Sequence, residues 1–394
     1  MTGAKAAPPR DVVRAETVGS LLRPQQLREL FPKVYAGHKT LSPRLLDAQG
    51  RERLAELERI ADDAVRDVVR RQEALGLDVI TDGEMRRAMF THSLVDAIAG
   101  FEDSDVEFAF HNDQGEEMVP PGGPLVGAQR IRKVANPAAD EVRFVRALTD
   151  RPLKVTFPAP SYWFCEPVDL SQGAYASQDE FVADVVAIQR ELIAEAIDAG
   201  ARYVQLDWPP YVMMVDPRWM HAFPHADGET PQTLMDKFIA TDNAVLEGIP
   251  GDVTTAMHIC RGNYRSMWMT EGSLEPVAER LFNELRHDRF LVEWEDPDRD
   301  GDFSALRHVP AGGPIVVMGV VSSKTAEVET ADAIERRLEE AARYLDIGQL
   351  ALSPQCGFAS TWEGNELAEQ IQWRKLERLV EVADRIWPRE DRRS

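Results

Sequence analysis

His258 and Cys260 stand two residues apart at the end of an apolar run over 253–257. Residues i and i+2 of an extended strand point to the same face, so an imidazole nitrogen and a thiol sulfur enter one site. Cys356, in the stretch Ser353-Pro354-Gln355-Cys356-Gly357-Phe358, offers a second thiol. Glu293 closes the apolar run 289–293 and offers a carboxylate, and Glu295, two residues on, competes for the same role. Imidazole nitrogen, thiolate sulfur and carboxylate oxygen are the donors that Zn2+ takes, usually in a tetrahedron. The chain holds only three cysteines, too few for a disulfide framework, and two of them occupy these places. The third, Cys165, reads as a small buried residue.

Two further carboxylates, Glu84 just past the run 78–82 and Asp207 at the end of 202–207, stand beside Gly and Pro turns. Such groups cap helices by accepting backbone N–H bonds; alternatively they form an anionic pocket for a substrate ammonium. Val18-Gly19-Ser20 ends the first apolar run, where the Ser20 hydroxyl and N–H suit a substrate carboxylate. Together these residues describe an amino-acid pocket beside a metal. Among the histidines, His92, His221 and His225 are secondary candidates. His38, His111, His287 and His308 read as solvent-facing.

Placing these side chains in one site requires a scaffold that gathers strand ends. Short β-rich runs at 16–21, 78–82, 153–157, 202–207, 253–260, 289–293, 314–321 and 349–353 are nearly all followed by segments of helical period. Eight strand-then-helix units predict an α/β fold, a (β/α)8 TIM barrel, with a doubly wound open sheet as the alternative. One domain covers 1–394, with an inserted, hairpin-like segment at about 101–150, after the second unit. In such a barrel the active site lies at the C-terminal ends of the strands, where Gly19-Ser20, Glu84, Asp207, His258 with Cys260, Glu293 with Glu295, and Cys356 fall. The formal net charge of −22 argues against nucleic acid or an anionic membrane as partner. No apolar run is long enough to span a bilayer, the first ten residues lack a signal-peptide core, and a cytoplasmic protein is expected. Neither G-x-x-x-x-G-K-S/T nor a post-strand G-x-G-x-x-G occurs, which argues against a nucleotide cofactor.

The stretches Gly76 to Glu84 (GLDVITDGE), Gln205-Leu206-Asp207, His258-Ile259-Cys260-Arg261-Gly262-Asn263 and Ser353 to Ser360 (SPQCGFAS) resemble the cobalamin-independent methionine synthases. The likeness is to their C-terminal catalytic barrel, and closer still to the short single-barrel relatives. It implies zinc held by His258, Cys260, Glu293 and Cys356, and homocysteine held by Val18, Gly19, Ser20, Glu84 and Asp207, the two carboxylates also being catalytic. The implied reaction is methyl transfer to the homocysteine thiolate, giving methionine, as in 5-methyltetrahydrofolate–homocysteine S-methyltransferases. Three positions depart from the family pattern: its folate-stacking tryptophan falls at Pro160, its folate-contacting glutamate near Met213 and its proton-donating histidine near Val321. The methyl or alkyl donor therefore stays open, with Trp208, Tyr211, Trp163 and Tyr162 as a substitute aromatic wall. The alternatives are alkylation of another thiol, such as coenzyme M by an epoxide, and a decarboxylase-like or corrinoid-interacting barrel of the uroporphyrinogen type.

Overall fold

Strands buried on both faces read as near-continuous apolar runs, and each needs a helix to cover its outer side. The computed structural model describes residues 13–35, 43, 46, 48–103, 109–120, 125–166, 168–219 and 229–389. It places six of the runs in one parallel ladder, in chain order: β1 (Lys154–Pro158), β2 (Tyr203–Asp207), β3 (Thr254–Ile259), β4 (Arg289–Glu293), β5 (Ile315–Val321) and β6 (Leu350–Pro354). Two shorter contacts complete the ring. Ala15 bridges Leu352 of β6 and Ile80 bridges Leu153, both in parallel sense, and the Asp78 amide donates to the Ala15 carbonyl at 3.3 Å. The fold is thus the expected (β/α)8 barrel. The runs at 16–21 and 78–82 contribute bridges instead of ladders. There a side chain takes the backbone's place: Asp78 Oδ2 accepts from the amides of Arg14 at 2.8 Å and Ala15 at 3.1 Å.

The barrel interior is partly apolar, with Val13, Val18, Val79, Ala256, Leu291, Val317 and Ala351 packed together. It also carries a buried polar chain. Glu16 accepts from Arg289 at 2.8 Å, Lys154 at 2.5 Å and the Tyr203 hydroxyl at 2.8 Å. Burial pushes Glu16 up, but Lys154 and Arg289 outweigh it and hold the carboxyl below its ordinary value. Lys154 also donates to Gln205 Oε1 at 2.8 Å, and Gln205 Nε2 donates to Asp207 Oδ1 at 2.7 Å. A network satisfied at every link is rigid, so the barrel floor fixes Asp207 at its mouth.

Outer helices start where the sequence offers caps. Ser177, Thr230 and Thr330 each accept from the amide three residues on, opening Gln178–Asp198, Pro231–Ala244 and Ala331–Ala341. The first of these buries Phe181, Val185, Leu192 and Ala196 against the barrel wall, each large apolar side chain contributing roughly 1.5–3 kcal/mol.

The segment expected as a hairpin-like insertion divides in two. Ile98–Asp103 pairs antiparallel with Leu125–Lys133, and Phe110–His111 with Glu117–Met118. Beyond them the alternation over 141–148, which suggests a strand, belongs mostly to a helix, Pro137–Arg146. Asn136 caps it by accepting from the Ala139 amide, Pro137 suits its first turn, and Ala138, Val142 and Val145 bury at helical spacing. This helix packs against Gln178–Asp198 and Ala48–Leu75, as the outer helix of the second unit. After the run 78–82, residues 85–98 hold only one short helix, His92–Val95. Among the described residues no helix is long and apolar enough to cross a membrane.

Candidate metal and substrate site

His258 is the fifth residue of β3, Cys260 follows its end, and Cys356 lies two residues past β6. Parallel strands bring these ends to one rim. One ligand atom from each of the three residues lies within 4.8 Å of the others, and all three residues are buried. The two sulfurs are 3.3 Å apart and unbonded; on a tetrahedral zinc with bonds of about 2.3 Å they would stand roughly 3.8 Å apart. His258 Nδ1 faces the Leu291 carbonyl at 3.3 Å, which leaves Nε2 buried without a hydrogen-bond partner. A ligating imidazole is held in this way, one nitrogen anchored to a carbonyl and the other free for the metal. The hydrogen bond with Cys260, and the imidazole of His258 beside it, hold the Cys356 thiol well below its ordinary value against the effect of burial. The donor set fits a soft divalent ion such as zinc.

Glu293 is buried next to this cluster but is not one of its three members. Its Oε1 accepts from Lys324 Nζ at 2.8 Å and Gln355 Nε2 at 2.9 Å, and its Oε2 accepts from the Arg261 amide at 3.0 Å. Glu295, the competing carboxylate, pairs with Arg299 at 3.0 Å. The structure thus brings three of the four expected ligands together and places Glu293 beside them, bonded to the amide next to Cys260 and to Lys324.

The two carboxylates meet on the other side of the pocket. In register, Asp207 is the partner of His258. Burial pushes Asp207 up to about 7, opposed by His258 and reinforced by the charge of Glu84. Glu84 is also raised, by burial first, against the pull of Arg87. Its Oε1 accepts from the Thr156 hydroxyl at 2.7 Å, while Oε2 is buried without a partner. Gly19 makes room for this carboxylate, since a Cβ there would stand 2.8 Å from Glu84 Oε1. Glu84 and Trp208 both have positive φ, 58° and 54°. Val18, Ser20, Glu84, Asp207, His258, Cys260 and Cys356 all line one pocket of about 620 Å³ that opens to solvent.

A family profile described as "Cobalamin-independent synthase, Catalytic domain" matches residues 31–384. The chain belongs to this family. A Bacillus subtilis (strain 168) protein, YxjG, is 35% identical over 378 residues, which cover 95% of this chain and 94% of that protein. A Pyrococcus abyssi methionine synthase is 25% identical over 340 residues, 84% of this chain and 86% of its own. Among solved structures, a putative vitamin-B12 independent methionine synthase from Listeria monocytogenes superposes with a TM-score of 0.68 at 27% identity, covering 98% of this chain and 99% of that one. A B12-independent methionine synthase from Shewanella sp. W3-18-1, in complex with selenomethionine, shares the fold with a TM-score of 0.69 at 20% identity, covering 95% and 98%.

None of the three positions that depart from the family pattern lines the pocket. Pro160 opens a short 3-10 helix, Met213 packs its sulfur 3.8 Å from that of Cys165, and Val321 is buried at the end of β5. Of the four aromatic residues offered as a substitute wall, only Trp208 lines the pocket. Tyr211 instead donates to Asp242 at 2.8 Å, Tyr162 packs tilted against Trp208, and Trp163 stacks on Phe101. Met89, Phe90 and Tyr264, which the sequence did not single out, line the pocket, and Phe110 and Pro120 reach it from the inserted segment. Asn263 was part of a motif without a role; its Nδ2 donates to the Gly357 carbonyl at 2.6 Å and so ties the His-x-Cys loop to the Cys356 loop. His92 pairs with Asp96 at 3.1 Å and does not reach the pocket. His287, expected at the surface, is buried, because it packs edge-on against Phe290. His111 and His308 are partly exposed and pair with Glu117 and Glu275. His38, His221 and His225 lie outside the described residues.

Proposed function

We propose that this protein is a zinc-dependent thiol alkyltransferase that methylates homocysteine to methionine. The observation that carries this reading is the meeting, in one pocket, of the His258–Cys260–Cys356 triad and the two buried carboxylates Glu84 and Asp207. His258, Cys260 and Cys356 would hold a zinc ion, which would supply the Lewis acidity that keeps a substrate thiol deprotonated near neutral pH. The two cysteine thiolates offset the charge of that ion, so the substrate sulfur stays nucleophilic. Glu84 and Asp207 hold the substrate ammonium, and Ser20 meets its carboxylate. Phe110, Pro120 and Trp208 shield the sulfur from water. A sulfur–carbon bond forms as the donor–carbon bond breaks, and the donor leaves with that electron pair.

A sulfonate thiol such as coenzyme M fits less well, because it would set an anion against two buried carboxylates. The partnerless Oε2 of Glu84 favours an ammonium instead. The test is metal analysis of the purified protein, about one zinc per chain being expected, followed by incubation with homocysteine and a panel of methyl donors. Methionine is read by mass spectrometry. A Cys356→Ser protein that retained full zinc and full thiol alkylation would refute the reading.

A further inference from the structure

We propose that the alkyl donor is an onium cation, a methyl sulfonium or a quaternary methylammonium, held among the aromatic rings that line the pocket. The inference rests on the reading of this site as one that alkylates homocysteine. Four aromatic residues line the pocket: Phe90, Phe110, Trp208 and Tyr264. They come from four separate segments of the chain and meet in pairs. Phe90 stands edge-on to Trp208 with ring centroids 6.2 Å apart, and Phe110 is tilted against Tyr264 at 5.7 Å. Phe110 belongs to the inserted hairpin, which backbone bonds fasten down. The His111 amide donates to the Trp268 carbonyl at 2.7 Å, and the Trp268 amide to the His111 carbonyl at 2.9 Å. The Tyr264 hydroxyl donates to Glu363 at 3.3 Å, which enriches its ring in electrons.

Rings with electron-rich faces, set beside carboxylates, favour a cation with an apolar skin. The charges agree. Glu84 and Asp207 line the same pocket, and a homocysteine ammonium offsets only one of two negative charges. Among the described lining residues none is Lys or Arg. The arginines next to them in sequence are paired elsewhere: Arg86 with Asp62 at 2.5 Å, Arg87 with Glu141 at 2.6 Å, Arg261 with Asp300 at 2.9 Å and Arg265 with Glu366 at 2.6 Å. A cationic donor is drawn by the rings and by the remaining negative charge, and an anionic one is opposed by both. The chemistry needs no acid. The homocysteine sulfur bonds to the methyl carbon as the bond from that carbon to the onium sulfur or nitrogen breaks. The electron pair stays with the departing atom, which leaves as a neutral thioether or tertiary amine, and no proton moves. Opposite charges vanish in this step, so a lining poorer in water than the solvent favours it.

The experiment gives the full-length chain, loaded with zinc and homocysteine, one of four methyl-labelled donors: trimethylsulfonium, tetramethylammonium, 5-methyltetrahydrofolate or methylcobalamin. Labelled methionine, read by mass spectrometry, is expected from an onium ion at least about tenfold faster than from the other two, and the two onium arms distinguish sulfur from nitrogen. Binding is read separately, by calorimetry without homocysteine. Trimethylsulfonium is expected to bind at least about tenfold more tightly than tert-butyl alcohol, which has a similar shape without the charge. Phe90→Leu should weaken onium binding and raise the donor KM by about 3- to 30-fold while KM for homocysteine is unmoved; Tyr264→Leu takes its place should Phe90→Leu fail to fold. Transfer from the folate or the corrinoid as fast as from either onium ion overturns the proposal and leaves the thiol reading standing. Onium binding no tighter than that of tert-butyl alcohol also overturns it. A chain that binds the onium ion through Phe90 yet alkylates homocysteine from none of the four donors overturns the thiol reading instead.

Discussion

Replacing Glu84 by Gln tests the substrate side of the pocket with little disturbance elsewhere. Glu84 Oε1 accepts from the Thr156 hydroxyl, which itself accepts from Arg87 Nη1 at 2.7 Å. A glutamine oxygen keeps that bond. Its amide nitrogen then takes the place of Oε2, which is buried and without a protein partner. Where a carboxylate would accept from the substrate ammonium, the variant presents a donor. Arg87 stays paired, because Glu141 holds it at 2.6 Å, so little stability should be lost. A hydrogen bond between charged groups contributes about 1.5–3 kcal/mol, which corresponds to a loss of about 10- to 150-fold in kcat/KM for homocysteine. The loss should fall mainly on KM, since the ammonium is held alike in ground and transition states. Steady-state kinetics with homocysteine and with 4-mercaptobutanoate, the same thiol without its amino group, make the comparison. The reasoning fails if Glu84→Gln lowers the rate with both thiols equally, or leaves homocysteine unaffected.

Removing one sulfur should empty the metal site: Cys356→Ser is expected to lower bound zinc from about one equivalent to a small fraction after dialysis, measured by elemental analysis, and undiminished zinc would contradict the triad. Gly357→Ala would set a Cβ 2.1 Å from Ser20 Oγ, so KM for homocysteine should rise while zinc content stays the same; an unchanged KM would remove Ser20 from the substrate pocket. His287 is buried with neither ring nitrogen hydrogen-bonded, and burial alone pushes it down to about 3. Unfolded histidine takes a proton below about 6.5, so the native state binds fewer protons between these values. Stability is therefore lost as pH falls through that window, by up to about 1.4 kcal/mol per pH unit. Urea midpoints at pH 7 and pH 5 should show His287→Phe losing about 2 kcal/mol less than the native chain, and parallel losses would contradict the assignment.

The sequence announced the site better than it announced the segments between the strands. Buried parallel strands leave a plain trace, so β4 was legible residue for residue and β3 nearly so. The ends of these strands then had to share a rim, which is why His258, Cys260 and Cys356 could be grouped before any distance was known. Glu293, expected beside them, also pairs with Lys324, a residue on the next strand's loop that has no spacing relation to Glu293. The inserted segment carries antiparallel strand pairs, and only its end departs, for a local reason. The alternation over 141–148 carries a period of two only by coincidence, while the cap at Asn136 and the proline after it signal a helix. The first two strands were legible as apolar runs, but nothing in them told that side chains such as Asp78 would replace ladder bonds.

The two carboxylates and their backbone express one design. Glu84 and Trp208 are among the few described non-glycine residues with positive φ, a conformation that costs of order 1–3 kcal/mol where a Cβ is present. Both stand where a strand at the rim turns away, at Glu84 itself and directly after Asp207. The strain keeps the chain from continuing outward and leaves both carboxylates over the barrel mouth. Burial then raises both groups, and the charge of Glu84 raises Asp207 further. Two like charges brought together out of water are unfavourable until a cation arrives. On the proposed reading a substrate ammonium would relieve that repulsion, and the thiol at the far end of the same molecule would then face His258, Cys260 and Cys356.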